Sequence, residues 1–211
     1  MSGSGTGGAG VYGSLTAAQV AGLFHPGYAS GTFIGLRDVG AATASTYAAD
    51  TLYAFPMPIY SRMTVDQLSI NCTTGVASCL GRLGVYDTVN GAPGNLLGTT
   101  GDIDLSTIAV KDAALSASAV LSPGLVWFAA LFNGAAQCTG YQTNGTIASP
   151  INDYLGGATS SFIFSGSASG RNLRFQRTAA ATFASGLPTT FGAGARGGGS
   201  PSAPIITARV A

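Results

Sequence analysis

Apolar and polar residues alternate along much of the chain between residues 46 and 178. The clearest case is the segment 65–72. There, Leu68, Ile70 and Cys72 fall on one face of the predicted strand, and polar residues occupy the other face. Alternation with a period of two is typical of a β-strand that has one buried face. The pattern therefore predicts strands rather than helices through most of the chain.

A second alternating strand is predicted over residues 80–87. By parity, Leu83 and Val85 face inward in this strand. Arg82 and Tyr86 then face outward, so we expect them on the outer side of the sheet.

Two segments depart from simple alternation. Residues 52–60 include Pro56 and Pro58. Because proline cannot donate to a ladder, this segment is predicted to be an edge strand or an irregular strand. Residues 125–132 form the longest continuous apolar run. Such a run is typical of a strand that is covered on both faces.

Turn residues separate the remaining elements. Residues 90–94 combine Asn, Gly and Pro, which favour tight turns. Residues 139–159 are polar and loop-like, and residues 15–24 are the one segment with a helical apolar stripe. Weaker strands are predicted over residues 96–99, 103–105, 113–121, 161–165, 172–176 and 204–210.

Many short strands with turns between them and no helical crossovers predict an all-β fold. We expect an antiparallel β-sandwich, jelly-roll-like in its connections, with an N-terminal extended arm and one short helix. Residues 1–45 are predicted to form the arm, which serves docking or oligomerisation. Residues 46–211 are predicted to form the sandwich domain.

Composition supports strands and adds a second point about the surface. Charged residues are 8% of the chain, against a typical ~25%. The chain has no glutamate, and Lys111 is its only lysine. Because a free surface with so few charges is prone to association, we expect much of it to be committed to neighbouring subunits.

Several classes of partner are disfavoured by the same pattern. The net charge is +1 and no basic stretch is present, so we predict no nucleic-acid partner. No segment reaches the ~18 to 20 apolar residues of a membrane span, and the N-terminus lacks the pattern of a secretory signal. We therefore predict no membrane association.

A succession of motifs resembles the sandwich domain of tail-fibre-like and other structural proteins of tailed phages. The motifs are YAFPMPI at 53–59, DQLSINCTT at 66–74, RLGVYD at 82–87, GAPGNLL at 91–97 and LSPGLVWFA at 121–129. The resemblance covers residues 46–211. It implies a virion component without catalysis, often a trimer, whose N-terminal extension docks to neighbouring proteins.

The leading functional prediction is a non-enzymatic phage virion structural protein of the tail-fibre or tail-tip type, assembled in the bacterial host cytoplasm. Its expected partners are other virion proteins, further copies of the same chain and a host-surface glycan. One alternative is a head decoration, head fibre or collar protein that stabilises the particle. Another alternative is a bacterial carbohydrate-binding module.

The chain offers little material for catalysis, which needs a positioned acid, base or nucleophile. His25 is the only histidine, and it lies beside Pro26. Asp102 and Asp104 would share one strand face, and we interpret them as surface aspartates beside turns. Calcium ligation by this pair is the alternative. We predict that the protein is not an enzyme and has no metal site and no cofactor.

A binding loop is predicted in the polar segment after residue 139. Exposed aromatics and short polar side chains on a loop suit a glycan or another receptor. The alternative is an ordinary solvated loop or a subunit contact. The candidate residues are Tyr141, Asn144, Asn152, Asp153 and Tyr154.

The three cysteines present a second open question. By strand parity Cys72 and Cys79 both point inward, at the two ends of one short loop. Opposed positions of a hairpin can meet the Cα separation that a disulfide needs. The alternatives are free buried thiols, which a reducing cytosol favours, and a Cys79–Cys138 pairing.

Overall fold

The computed structural model describes residues 27–35, 42–141, 177–192, 195–196 and 204–211. The strands in these ranges are β1 (Phe33–Ile34), β2 (Ala42–Tyr47), β3 (Thr51–Ile59), β4 (Met63–Thr74), β5 (Leu80–Val89), β6 (Ala92–Thr99), β7 (Ile103–Asp104), β8 (Ala109–Leu121), β9 (Gly124–Phe132), β10 (Ala136–Tyr141), β11 (Arg177–Ala180), β12 (Ala195–Arg196) and β13 (Ile206–Val210). The helical structure in these ranges is one 3-10 turn, Phe183–Ser185. The all-β prediction is confirmed. The predicted helix at 15–24 and the predicted strands at 161–165 and 172–176 lie outside the described residues.

The strands form two antiparallel sheets, as predicted. Sheet A has the order β1-β13-β4-β10-β2, and β8 pairs with the opposite side of β4. Sheet B has the order β12-β11-β3-β9-β5-β6, and β7 pairs with β5. β4 is therefore central to sheet A, and β9 is central to sheet B.

The main core fills the space between the two sheets. The inward face of β4 contributes Leu68, Ile70 and Cys72, each 2% exposed or less. The inward face of β5 contributes Leu83 and Val85, both fully buried. The period of two assigned each of these residues to the correct face, because apolar side chains on one side of a sheet must be removed from water together.

β9 is covered on both faces, as its continuous apolar sequence predicts. Val126 and Phe128 join the main core, whereas Trp127 and Leu131 belong to a second cluster on the outer side of sheet B. The chain segment 181–192 supplies the cover for that cluster, which we call the outer cluster. Its buried members are Leu52, Ala54, Tyr86, Trp127, Ala129, Leu131, Phe183, Leu187 and Phe191.

Tyr86 shows that strand parity predicts the direction of a side chain but not its exposure. It faces away from the main core, as predicted, but it is fully buried in the outer cluster. Its ring meets the Phe191 ring edge-on, with a centroid distance of 5.4 Å. Parity gives the direction of a side chain, while exposure depends on what a distant segment covers.

β3 lies between β11 and β9, so it is not an edge strand over its whole length. The ladder with β11 ends at Ala54, whereas the ladder with β9 runs on to Ile59. Pro56 and Pro58 therefore lie where β3 has a described neighbour on one side only. A missing N–H is tolerated there, which explains how the strand accommodates both prolines.

The β5–β6 connection is tighter than the turn-rich sequence indicated. Val89 pairs with Ala92, so the loop consists of Asn90 and Gly91 alone. Both residues have positive φ, 51° and 72°. This is the two-residue hairpin turn that Asn-Gly favours, because its twist matches the strands. Pro93 and Gly94 belong to β6.

A bulge in β8 joins the two sheets along one side. Val65 pairs with Ala119 and Gln67 pairs with Ala114, so the four residues 115–118 of β8 lie opposite the single residue Asp66 of β4. Leu115 forms a bridge with Thr100, which follows β6. The Ser116 hydroxyl donates to the Thr99 carbonyl at 2.9 Å. This edge of sheet A is thereby attached to sheet B.

Candidate functional site

The outer face of sheet A carries a groove of about 210 Å³. Strands β4, β8, β10 and β13 contribute to it because they lie side by side across β4. Its lining consists of Ser69, Ile70, Asn71, Val110, Thr139, Ile205 and Thr207. The lining is uncharged, with hydroxyl and amide groups set among aliphatic side chains.

Hydrogen bonds between strands fix the polar wall of this groove. The Ser69 hydroxyl donates to Asp112 Oδ1 at 2.5 Å, joining β4 to β8. Asn71 Nδ2 donates to Thr139 Oγ1 at 2.8 Å, joining β4 to β10. Val110 is 64% exposed beside them. The arrangement presents a fixed set of neutral polar groups next to an exposed aliphatic side chain.

An ion pair lies on the same face of sheet A. Arg209 donates to both carboxylate oxygens of Asp66, from Nε at 2.9 Å and from Nη2 at 2.8 Å. The hydrogen bond from Arg209 lowers the pKa of Asp66, and the carboxylate raises the pKa of Arg209 in turn. Both charges are therefore compensated within the face.

The predicted binding loop cannot be placed on this face. Tyr141 ends β10, where its backbone pairs with Ala42. The Tyr141 side chain and the residues Asn144, Asn152, Asp153 and Tyr154 lie outside the described residues. The binding loop remains a prediction. The groove itself was missed because its walls come from four strands that are distant in sequence.

Each described aspartate accepts a hydrogen bond from another residue. Asp102 pairs with Arg82, and Asp104 accepts from the N–H and hydroxyl of Ser106 at 2.8 and 2.9 Å. The hydrogen bonds from Ser106 lower the pKa of Asp104. The remaining contacts are Asp50 with the Phe183 N–H, Asp66 with Arg209, Asp87 with Asn95, and Asp112 with Ser69.

Asp102 and Asp104 are held by different partners. The two carboxylates make separate structural contacts, one to a guanidinium and one to a turn. Within the described ranges, no three or more His, Cys, Asp or Glu side chains are placed to hold a metal ion. The same ranges contain no helix long and apolar enough to cross a membrane.

The three cysteines are free and buried. The hairpin geometry assumed for Cys72 and Cys79 is wrong, because β4 belongs to sheet A while Cys79 precedes β5 of sheet B. Cys72 is instead paired in register with Cys138 across the β4–β10 ladder. Burial raises the pKa of Cys138 to about 12, and it also raises the pKa of Cys79.

Three exposed aliphatic side chains lie in β8 or directly before it. Ile108 is 70% exposed, Val110 is 64% exposed and Val120 is 48% exposed. We call these three residues the β8 strip. The exposed positions of β8 between the two valines are mostly alanine and serine. This edge of sheet A therefore offers a surface with little charge to a neighbouring molecule.

Comparison of the chain with protein-family models, curated proteins and solved structures gave no match.

Proposed function

We propose that this protein is a non-enzymatic structural component of a phage particle, of the tail-fibre or tail-tip type. Its sandwich serves as a rigid building block that associates with further copies and with other virion proteins. The observation that carries the proposal is the β8 strip on a surface with few charges. The motif succession between residues 53 and 129 provides the phage context.

The contacts of the charged groups support a building block rather than a reaction centre. The described aspartates hold turns, neighbouring strands or the segment 181–192 in place. A carboxylate or base that acts in catalysis must be available to a substrate. In this protein the described carboxylates are used to fix the fold.

The β8 strip supports association. Isolated exposed apolar residues are common on protein surfaces, but three large aliphatic side chains at one edge of a low-charge sheet favour a protein contact. β8 also spans 13 residues, so a contact along it would be long. Neighbouring subunits would cover the strip in the particle.

The first experiment asks whether the protein is in the particle. Purified particles from infected cells are analysed by mass spectrometry and labelled with an antibody against the full-length protein in electron microscopy. We expect the protein at a fixed copy number, with label at the tail. Label at the head or collar would support the alternative structural role, and absence from purified particles would overturn the proposal.

The second experiment tests the β8 strip. The double variant Val110→Thr and Val120→Thr retains β-branched side chains of similar shape while adding hydroxyl groups. We expect it to fold normally and to show weaker self-association in analytical ultracentrifugation. Thr46→Val, on the edge strand β2 of the same sheet, is a control of the opposite chemistry at another site. Unchanged association of the β8 variant would remove the strip from the proposal.

Host contact is tested separately, by competition. Purified protein at saturating concentration should reduce adsorption of the phage to its host if this chain contacts the cell surface. A carbohydrate-binding module from a bacterium would instead bind a polysaccharide and be missing from particles. The analysis of purified particles and the adsorption assay together separate particle membership from receptor binding.

A further inference from the structure

Three buried thiols belong to the core between sheets A and B. Cys72 and Cys138 are both fully buried, and Cys79 is 2% exposed. All three belong to the main core. Their arrangement is not that of a metal site, since the described residues place no such group of ligands together.

The register singles out one pair of these cysteines. Cys138 of β10 is the direct antiparallel partner of Cys72 of β4. Directly opposed residues of an antiparallel pair have Cα atoms about 4.5 to 5.5 Å apart. A disulfide requires a Cα separation of about 4.4 to 6.8 Å. Both side chains also point into the core, so the pair meets the distance and the direction that a cross-strand bond needs.

Cys79 is placed differently. It precedes β5 of sheet B and has no ladder position opposite either of the other cysteines. Its N–H donates to the Val76 carbonyl at 3.0 Å, and its carbonyl accepts from the Leu105 N–H at 2.9 Å. These bonds fix its backbone in a tight turn of sheet B. A bond from Cys79 to either partner would have to cross between the sheets.

The Cys72–Cys138 pair lies at a weak junction of sheet A. β10 pairs with β2 through six residues but with β4 through two, Gln137 and Cys138. The register also shifts between those two residues. Apart from this ladder, β10 is tied to the rest of the sheet by a few contacts, such as the Ile205 N–H bond to the Thr139 carbonyl. Opening of this short junction would expose both thiols together.

We propose that Cys72 and Cys138 form an oxidative crosslink that locks β10, and with it β2, onto β4. Two thiols are oxidised as one S–S bond forms, and their two electrons and two protons pass to dissolved oxygen, which is reduced to hydrogen peroxide. We expect this step after the particle is released from the cell, and that timing rests on the proposed function. Particles are assembled in a reducing cytosol and are released into an oxidising medium.

The physical consequence is a stronger fold after release. The crosslink would close a loop of more than sixty residues, because the bonded positions are 72 and 138. Closing a long loop lowers the entropy of the unfolded chain. We expect the oxidised protein to melt about 10 °C above the reduced protein.

The test uses the purified full-length chain. The reduced, folded protein is treated with diamide, which accepts the two hydrogens, and free thiols are then alkylated. Trypsin leaves Cys72 and Cys79 on one peptide, 63–82, and Cys138 on another, 112–171. We expect the main product to join these two peptides, with one alkylated cysteine left on peptide 63–82.

A matched set of variants identifies the partner of Cys138. Cys79→Ser should still crosslink and should show the full rise in melting temperature. Cys72→Ser and Cys138→Ser should show neither. Retention of the crosslink in Cys72→Ser, its loss in Cys79→Ser, or a main bond within peptide 63–82 would overturn the proposal. The proposal would also be overturned if the folded wild-type chain stayed reduced under conditions that oxidise the unfolded chain.

Particles provide the last measurement. Protein from particles kept in aerated medium should carry the crosslink, whereas protein alkylated directly in lysed cells should not. Reduced Cys72 and Cys138 in aged particles would overturn the proposed timing. Absence of the protein from particles would instead overturn the proposed function and leave the pairing found with purified protein intact.

Discussion

The outer faces of the two sheets are built from different side chains, and they differ in whether another segment of the described chain covers them. The outer face of sheet A is open and carries exposed aliphatic side chains among polar ones, and its polar side chains bond to one another, as in Ser69–Asp112 and Asn71–Thr139. The outer face of sheet B is apolar and is covered by residues 181–192. The described residues therefore form two hydrophobic clusters, one between the sheets and one outside sheet B.

This difference shows how a short segment with little regular structure can complete a fold. Residues 181–192 contain one 3-10 turn, yet they bury Phe183, Leu187 and Phe191 against sheet B. Polar contacts fix the segment at both ends. The Asp50 carboxylate accepts from the Phe183 N–H at 2.7 Å, and the Tyr86 hydroxyl donates to the Pro188 carbonyl at 2.9 Å.

Arg82 contributes a second kind of contact to the same segment. Its Nη1 donates to the Phe183 carbonyl at 2.8 Å, and its guanidinium lies 4.4 Å from the centre of the Phe183 ring. Asp102 balances its charge. A single arginine thus holds both the backbone and the ring of the covering segment.

The largest effect is expected at the centre of the covered face. Trp127→Ala should lower the free energy of unfolding by about 4 kcal/mol, because it removes a large buried aromatic and leaves a cavity. The measurement is urea denaturation. Trp127→Phe is the control: it keeps most of the ring volume and loses the indole N–H bond to Thr88, so its loss should be much smaller. Similar losses for both variants would contradict a packing role.

Asp50→Ala should have the next largest effect, about 2 kcal/mol. It removes the carboxylate that accepts from the Phe183 N–H, and it places alanine at a position whose φ is 53°. Asp50→Asn keeps an acceptor oxygen and tolerates that φ, so it should lose less than half as much. The readouts are urea denaturation and the rate of proteolysis within residues 181–192. Equal losses for the two variants would argue that the attachment needs the charge.

Tyr86→Phe should cost about 1 kcal/mol at neutral pH, since it removes one hydrogen bond. Burial raises the pKa of Tyr86 far above its ordinary value of 10.0. The wild-type chain should therefore lose stability as the pH rises above 10, because the unfolded chain releases the phenol proton before the folded chain does. The variant lacks that contribution, so its stability should fall less steeply. Parallel pH profiles would show that the covered face admits water.

The smallest effect is expected on the open face. Arg209→Gln breaks the pair with Asp66 while keeping the side-chain stem, and the two charged groups are 38% and 29% exposed. We expect a slight fall in melting temperature that disappears at high salt. In the wild type, the pKa of Asp66 is lowered from its ordinary value of 3.8, so this contribution is fully present above that value and is lost as the pH falls through the lowered pKa. A loss comparable to that of Trp127→Ala would contradict the comparison.

The sequence predicted much of the strand content of the described chain, but not all of it. Strands β4 and β5 were found with the correct inward residues, and β9 was found as a strand covered on both faces, because each carries a strong apolar pattern of its own. β2 and β10 were missed, and part of β10 was assigned to a loop. The β2 sequence is ATASTY and the β10 sequence is AQCTGY, and neither alternates clearly. Their pairing with each other and with β4 specifies these strands.

The candidate site was harder to predict than the fold. Ser69 and Asn71 were assigned to the outer face of their strand, but their neighbours Thr139 and Thr207 come from strands β10 and β13. The cysteine pairing was missed for the same reason. Parity gave the direction of each thiol, but only the strand order put Cys138 opposite Cys72.

The sequence by itself determined properties that depend on neighbouring residues in the chain. These include the inward residues of β4 and β5, the continuous burial of β9 and the Asn90-Gly91 turn, since side-chain parity and backbone preference act over a few residues. The tertiary structure decided which outer face is covered and which thiols meet. Both depend on strand order and on a segment about a hundred residues away from Tyr86, and local patterns carry no information about either.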